Sequence, residues 1–200
     1  MNNKRIFDVF LAIFLIVIFS PLFFIISVLI YAYDGMPIFY LSERMSGVNK
    51  SFILIKFRTM RPSLENTGVS GGDKTDRITR PGKFLRKTRL DEIPQLLNIL
   101  KGDMSFIGPR PPLRIYVERF PDLYSRILVN PPGVTGLASI YYHKMEETLL
   151  LKCANATETD KVYSNRCIPR KAKLDMIYIK NRSICFDIKL LFLTVRKVFF

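Results

Sequence analysis

The chain has 200 residues, 48% of them hydrophobic and 24% charged, enough for one domain with a real core and too apolar for disorder over most of its length. Its formal charge of +14 at pH 7 lies almost wholly beyond residue 33 and requires anionic partners: nucleic acid, lipid headgroups, or nucleotide and lipid phosphates. Cys153, Cys167 and Cys185 lack CxxC spacing and give neither a disulfide framework nor a zinc signature. The single histidine, His143, excludes a multi-histidine metal site and reads as an ordinary surface or partly buried side chain.

Residues 9–33 carry no charge. A straight helix of that length would measure roughly 37 Å against a hydrocarbon core of roughly 30 Å, so it is long enough to cross a bilayer. The run exceeds the apolar region of a cleavable signal peptide, and no small-residue cleavage site follows, so the segment is expected to stay attached. Pro21 has no N–H for the Val17 carbonyl, which predicts a kink at Ser20-Pro21. A kinked spanning helix satisfies that pattern. The flanking cations, Lys4 and Arg5 before the run and Arg44, Lys50, Lys56 and Arg58 after it, mark neither side as the outside. They favour a re-entrant segment that enters, breaks at Ser20-Pro21 and returns with both ends cytoplasmic.

Residues 38–43 and 52–60 are short β-branched and aromatic runs separated by Met45-Ser46-Gly47-Val48-Asn49-Lys50, a β-hairpin pattern whose second strand closes at Lys56-Phe57-Arg58. Residues 61–79, with Gly68, Gly71 and Gly72 among polar side chains, predict a mobile surface loop able to cover a site. Asp91 is placed to cap a helix running to Leu100, with Pro94 in its first turn, Gly102 beyond its end, and Leu90, Ile93, Leu97 and Leu100 as its buried stripe. Further helices are predicted over residues 113–120, 124–129, 144–153, 169–181 and 184–199. In the last, Ile188, Leu191, Val195 and Val198 share a face, with Lys189, Arg196 and Lys197 placed near headgroups. That pattern fits a membrane interface or packing against the domain. The fold class is α+β, mainly α, with no internal repeat, Rossmann glycine fingerprint or P-loop.

The strongest chemical signal is Asp91-Glu92, adjacent carboxylates among Arg86, Lys87 and Arg89. A helix N-terminus and the nearby arginines favour negative charge, so Asp91 is expected to stay ionised, the state a nucleophile or metal ligand needs. Glu92 adds a second charge that opposes full ionisation of the pair and fits a proton-transfer role. Mg²⁺ is usually held by one or two carboxylates together with substrate phosphates, and this sparse acid set fits such a site. Taken alone, the dipeptide reads first as an N-cap with a solvated charge. Gly108-Pro109-Arg110-Pro111-Pro112 holds a guanidinium on a stiff turn suited to phosphate. Pro131-Pro132-Gly133-Val134-Thr135-Gly136 is a second rigid loop, whose glycines let a ligand approach backbone amides.

Six motifs stand in order: the apolar segment with Ser20-Pro21; Lys56-Phe57-Arg58-Thr59-Met60; Leu90-Asp91-Glu92-Ile93-Pro94-Gln95-Leu96; Lys101-Gly102-Asp103-Met104-Ser105; Gly108-Pro109-Arg110-Pro111; and Pro132-Gly133-Val134-Thr135-Gly136. This series resembles the bacterial sugar transferases known as small monotopic phosphoglycosyl transferases, over most of residues 5–140. The Asp-Glu-x-Pro-Gln and Gly-Pro-Arg-Pro pair is its most specific part. The resemblance implies a re-entrant membrane helix over residues 1–35 and a cytoplasmic catalytic domain with interfacial helices over residues 36–200, on the cytoplasmic face of a bacterial inner membrane. It implies that Asp91 attacks the β-phosphate of a UDP-sugar and releases UMP, and that undecaprenyl phosphate then attacks the aspartyl-bound sugar phosphate. Mg²⁺ would sit at Asp91, and Glu92 would assist the second attack. Arg86 and Arg110 fall at the family's phosphate-binding positions, and Lys56, Arg58, Arg89, Pro109 and Thr135 join them as substrate-binding candidates.

The sequence departs from the family after Thr135-Gly136-Leu137-Ala138. Many members continue with a Gln-x-Asn-Gly-Arg segment, whereas Ser139-Ile140-Tyr141-Tyr142-His143-Lys144 stand here, and residues 146–170 diverge further and carry no expected catalytic role. The sugar and the oligomeric state are left open, and nucleic acid is not an expected partner. The competing reading, a membrane-anchored basic module binding anionic lipid or nucleic acid without catalysis, explains the charge but not the order of motifs.

Overall fold

The computed structural model describes residues 3–62, 68–69 and 71–199. Helix α1 (Asn3–Asp34) contains the whole apolar run and lies with one face on the rest of the chain. Toward its start, Ala12 is fully buried with Leu11, Leu15, Ile16 and Phe19 packed around it; toward its end, Ile26 and Ile30 are buried with Phe57 and Leu85. The opposite face is bare: Phe10, Phe14, Val17, Phe24 and Ile25 are each at least 60% exposed. The chain stays helical through Ser20 and Pro21, so the expected interruption is not present. Pro21 cannot donate to the Val17 carbonyl, but the Ser20 hydroxyl does so at 2.8 Å, which satisfies the group whose loss would favour a break.

Strands β1 (Phe39–Met45) and β2 (Ser51–Phe57) form the expected antiparallel hairpin, with Phe39 opposite Phe57 and Met45 opposite Ser51. The described part of the expected surface loop is more ordered than its composition implies. A 3-10 turn, Gly72–Arg77, and a bridge between Met60 and Ile78 pin it, with Lys74 and Thr79 buried. Residues 63–67 and 70 of that prediction lie outside the described residues. Helix α2 (Arg80–Thr88), absent from the sequence reading, is capped by the Thr79 hydroxyl, which accepts from the Gly82 N–H at 3.1 Å.

Arg89, at φ 61°, ends α2; a 3-10 turn over Leu90–Glu92 follows, and α3 (Gln95–Lys101) begins only after Pro94. Asp91 is therefore not an N-cap. The Glu92 and Ile93 N–H groups return to the Arg89 and Leu90 carbonyls three residues back, so residue 91 lies inside a 3-10 turn and lacks the extended backbone of an N-cap. The buried side of α3 is rotated from the expected stripe as well: Gln95, Leu96, Asn98 and Ile99 are buried and Leu97 is exposed. Asn98 explains the rotation, because its side chain accepts from the Ile55 N–H (3.1 Å) and donates to the Ile53 carbonyl (2.7 Å), sealing the free edge of β2.

Strand β3 (Ser105–Ile107) and strand β4 (Gly133–Thr135) form a parallel pair that the sequence reading did not contain. Between them lie α4 (Arg114–Arg119) and α5 (Pro121–Ile127), close to the predicted helices. Helix α6 (Leu137–Leu151) starts well before the expected residue 144, and α7 (Ala156–Val162) with a π-helical turn, Tyr163–Cys167, occupies ground the sequence left unassigned. Helices α8 (Ile168–Lys180) and α9 (Ile184–Phe199) fall where expected. Helix α9 packs against the domain through Leu190, buried in the core, while Ile188, Phe192 and Val195 face outward. The fold is mainly helical with two small sheets among the described residues, and the three cysteines remain thiols.

Both ends of α1 are fastened to this body. Lys4 Nζ donates to the Ile107 carbonyl (2.9 Å), the Tyr178 hydroxyl (3.0 Å) and the Asp187 carboxylate (2.5 Å). Arg5 donates to the Ile99 and Leu100 carbonyls at the C-terminal end of α3, where a cation meets the negative end of the helix dipole. Past the other end of α1, Arg58 donates to the carbonyls of Asp34, Gly35 and Met36 at 2.6–2.9 Å. The cations read as flanking charges in the sequence are thus partly internal ties.

Candidate active site

One open cavity of about 1880 Å³ gathers the end of β2, the end of α2, the Leu90–Glu92 turn, the loop after β3, and walls from α6, α8 and α9. Lys56, Arg86, Arg89, Asp91, Glu92, Arg110 and Thr135 all line it, so seven of the expected positions converge. The left-handed Arg89 and the tight turn after it project two successive carboxylates into the cavity instead of running them into α3. Glu92 is the hub. Its Oε1 accepts from Arg110 at 2.7 Å and Lys56 at 2.9 Å, with Arg89 at 3.5 Å. Asp91, also buried, is 4.0 Å from Lys56 and makes no close ion pair.

The two carboxylates are electrostatically opposite. Burial alone would raise Glu92, but Arg110, Lys56 and Arg89 together hold it well below the usual carboxylate range. Burial raises Asp91 above its ordinary value and the Glu92 charge adds to this, while Lys56, Arg86 and Arg110 pull it back. Glu92 is thus the firmly ionised member and Asp91 the strained one, the reverse of the sequence expectation. The reason is tertiary: Lys56, Arg89 and Arg110 all hydrogen-bond to Glu92, and none of them to Asp91.

Two expected substrate contacts carry bonds within the protein. Arg58 reaches the cavity wall, but two of its guanidinium nitrogens hold the backbone between α1 and β1. Pro109 is buried, and its carbonyl accepts from the Gly133 N–H at 2.9 Å. The two glycine-containing loops are in fact pressed against each other. A Cβ on Gly133 would lie 2.1 Å from the Gly108 nitrogen, and one on Gly136 would lie 2.2 Å from the Gly108 oxygen. These glycines admit backbone to backbone, not ligand to backbone, and the joint aims Arg110 at Glu92. Thr135 presents a hydroxyl 3.1 Å from that of Thr194 on α9. Ser20 and Pro21 lie in the bare helix, away from the carboxylates.

The bacterial sugar transferase family matches residues 1–200 of this chain. The chain belongs to that family. It is 36% identical over 200 residues to the UDP-N-acetylgalactosamine-undecaprenyl-phosphate N-acetylgalactosaminephosphotransferase of Aeromonas hydrophila, covering 98% of this chain and 43% of that protein. It is 32% identical over 203 residues to the UDP-glucose:undecaprenyl-phosphate glucose-1-phosphate transferase of Klebsiella pneumoniae, covering 100% of this chain and 40% of that protein. It is also 36% identical over 198 residues to the Bacillus subtilis (strain 168) protein called uncharacterized sugar transferase EpsL, covering 99% and 88%. The chain spans less than half the length of the first two relatives and most of the third.

Sequence reasoning missed part of the cavity. Arg44 from β1, Glu146 from α6, Tyr163 from the π-helical turn, and Lys171 and Asp175 from α8 also line it. One signal was present in the sequence. Lys171 and Asp175, four apart, lie on the side of α8 that carries Ile168 and Ala172, and a charged pair on an apolar face is unusual.

Proposed function

We propose that this chain transfers a sugar 1-phosphate from a UDP-sugar to undecaprenyl phosphate, releasing UMP, at the cytoplasmic face of a bacterial inner membrane. The observation that carries the reading is Asp91: a buried carboxylate without a close ion pair, facing a cavity rimmed by Lys56, Arg86 and Arg110, while its neighbour Glu92 holds the cations in place. The names of the Aeromonas and Klebsiella relatives, both undecaprenyl-phosphate sugar phosphotransferases, support the donor and acceptor classes.

An oxygen of Asp91 attacks the β-phosphorus, and the bond from that phosphorus to the bridging oxygen breaks with its electron pair leaving on UMP. A phosphate oxygen of the lipid then attacks the same phosphorus, and Asp91 departs as a carboxylate. The raised affinity of Asp91 for protons makes it the better nucleophile of the pair. Glu92, saturated by cations, is a poor proton acceptor at neutral pH, so its role is to fix Lys56 and Arg110 where charge develops on the phosphoryl group, in place of the proton transfer expected from the sequence. Asp91 is the carboxylate that would hold Mg²⁺, since it is a hard oxygen donor without a close ion pair, whereas Glu92 is taken up by Lys56, Arg89 and Arg110. When bound, the ion would supply neutralisation of diphosphate charge.

The same packing supports a one-sided membrane arrangement. A helix crossing a bilayer separates its ends by roughly 30 Å along the membrane normal, yet both ends of α1 are bonded to one folded body. The bare apolar faces of α1 and α9 support attachment from one side, in place of a crossing. The test is incubation of the purified chain with Mg²⁺, UDP-sugars and undecaprenyl phosphate, with identification of the nucleotide and intact-mass analysis of the protein. UMP and a sugar-phosphate adduct that Asp91→Asn abolishes are expected. UDP as the product, or full turnover by Asp91→Asn, would sink the proposal.

A further inference from the structure

We propose that Arg44, Glu146, Lys171 and Asp175 form the subsite that holds the sugar ring of the donor, and so set which sugar is transferred. The proposal deepens the nucleotide-sugar reading of the same cavity and rests on it. Lys171 Nζ donates to Glu146 Oε1 at 2.9 Å and to the Tyr163 hydroxyl at 3.3 Å. One α-helical turn on, Asp175 is only 7% exposed, and its Oδ1 has no hydrogen-bond partner. Across the cavity, Arg44 donates through Nη1 to the Pro111 carbonyl at 3.4 Å and leaves its buried Nε without a partner. All four residues line the cavity that holds Asp91.

A buried acceptor and a buried donor left unbonded are each unfavourable unless a ligand completes them. The ligand must therefore both donate and accept. Ionised phosphate cannot donate, so neither the diphosphate nor the lipid phosphate answers Asp175 in its carboxylate form. Sugar hydroxyls do both. Burial pushes Asp175 up to about 7, Glu146 adding to the rise and Lys171 opposing it, so near neutrality it is able to accept from one hydroxyl or donate to another. Position favours the sugar over the uracil. Arg44 donates to the carbonyl of Pro111, the residue after Arg110, which sets the cluster beside the phosphoryl-binding cations. The sugar is bonded directly to the phosphate under attack, whereas the base lies beyond a second phosphate and a ribose.

The test uses the full chain in detergent with Mg²⁺ and undecaprenyl phosphate. It measures kcat/KM for UMP release from UDP-glucose, UDP-galactose and UDP-N-acetylgalactosamine, and competitive inhibition by UDP, which lacks the sugar. Asp175→Asn and Glu146→Gln are expected to change the ratio of kcat/KM between two of the sugars by ~10-fold or more, with UDP inhibition unchanged within ~2-fold. Unchanged ratios overturn the assignment, as does a loss of UDP affinity that matches the loss of activity, since that would place uridine here. If either variant fails to fold, Arg44→Lys and Lys171→Arg, which keep the charge and move the donors, are measured in the same way, and unchanged ratios in them overturn the assignment equally. A wild-type chain that releases no UMP from any UDP-sugar sinks the transferase reading itself. Fixed ratios in variants of an active wild type sink only the sugar subsite.

Discussion

Removing the charge of Glu92 tests the claim that it is the electrostatic keystone of the site. In Glu92→Gln, Lys56 at 2.9 Å and Arg110 at 2.7 Å lose the anion between them and are left as like charges. At an effective dielectric of about 20, each of those contacts amounts to roughly 6 kcal/mol of gross attraction, most of it offset by desolvation. Breaking one side of a buried pair typically costs about 3–5 kcal/mol. Arg110 is one-third exposed and can turn toward water, so about 2–4 kcal/mol is the fitting range. For a chain of this size that lowers the melting temperature by about 5–15 °C. The sign of the pH dependence follows from the depressed value of Glu92. Its stabilisation is full above about pH 4.5, the ordinary value, and is lost as the pH falls through the folded one. Wild type should therefore show an acid limb of stability that Glu92→Gln lacks. Activity should fall as well, by roughly 10²-fold in kcat/KM, because Lys56, already 4.0 Å from Asp91, would be free to pair with the nucleophile. Thermal melting in detergent across pH 3–7 and UMP release measure the two effects. An unchanged melting temperature with an unchanged acid limb would refute the keystone role.

Asp91→Asn should abolish turnover yet melt at or above the wild-type temperature, since burial and the Glu92 charge disfavour ionised Asp91; a large drop in melting temperature would contradict that balance. Lys4→Met should destabilise the chain by about 3–5 kcal/mol, read as a lower melting temperature, because it strands the buried Asp187 carboxylate that ties α1 to α9. Gly133→Ala would place a Cβ 2.1 Å from the Gly108 nitrogen and should cost at least about 2–3 kcal/mol while displacing Arg110; melting and kcat/KM should fall together. Arg58→Ala should lower stability more than it raises KM for the UDP-sugar, as expected of a group bonded to the Asp34, Gly35 and Met36 carbonyls; the reverse pattern would restore it as a substrate contact.

The linear sequence determined what local chemistry alone decides. A long uncharged run forms an apolar helix whatever surrounds it, alternation and β-branching specify the first hairpin, and 3.6-residue periodicity located α8 and α9. The family motifs marked the Asp91-Glu92 pair and most of the cations that converge on it. The sequence misjudged elements held together by distant partners. The parallel β3–β4 pair exists because glycines far apart in the chain allow two backbones to touch, and α3 is oriented by Asn98 bonding to a strand edge.

Only tertiary structure decided which carboxylate anchors the cations and which is left without a close partner. Neighbours in sequence share every local influence, so nothing in Asp91-Glu92 separates the two. The distinction comes from Lys56 and Arg110, which reach Glu92 from other elements, and from burial, which no window of residues reports. The same holds for Lys4 and Arg5, whose charge suggested a membrane flank until folding gave them carbonyl and carboxylate partners inside the protein. Charge is a property of the residue. What that charge does depends on the distance to its partner, and that distance is fixed by the fold.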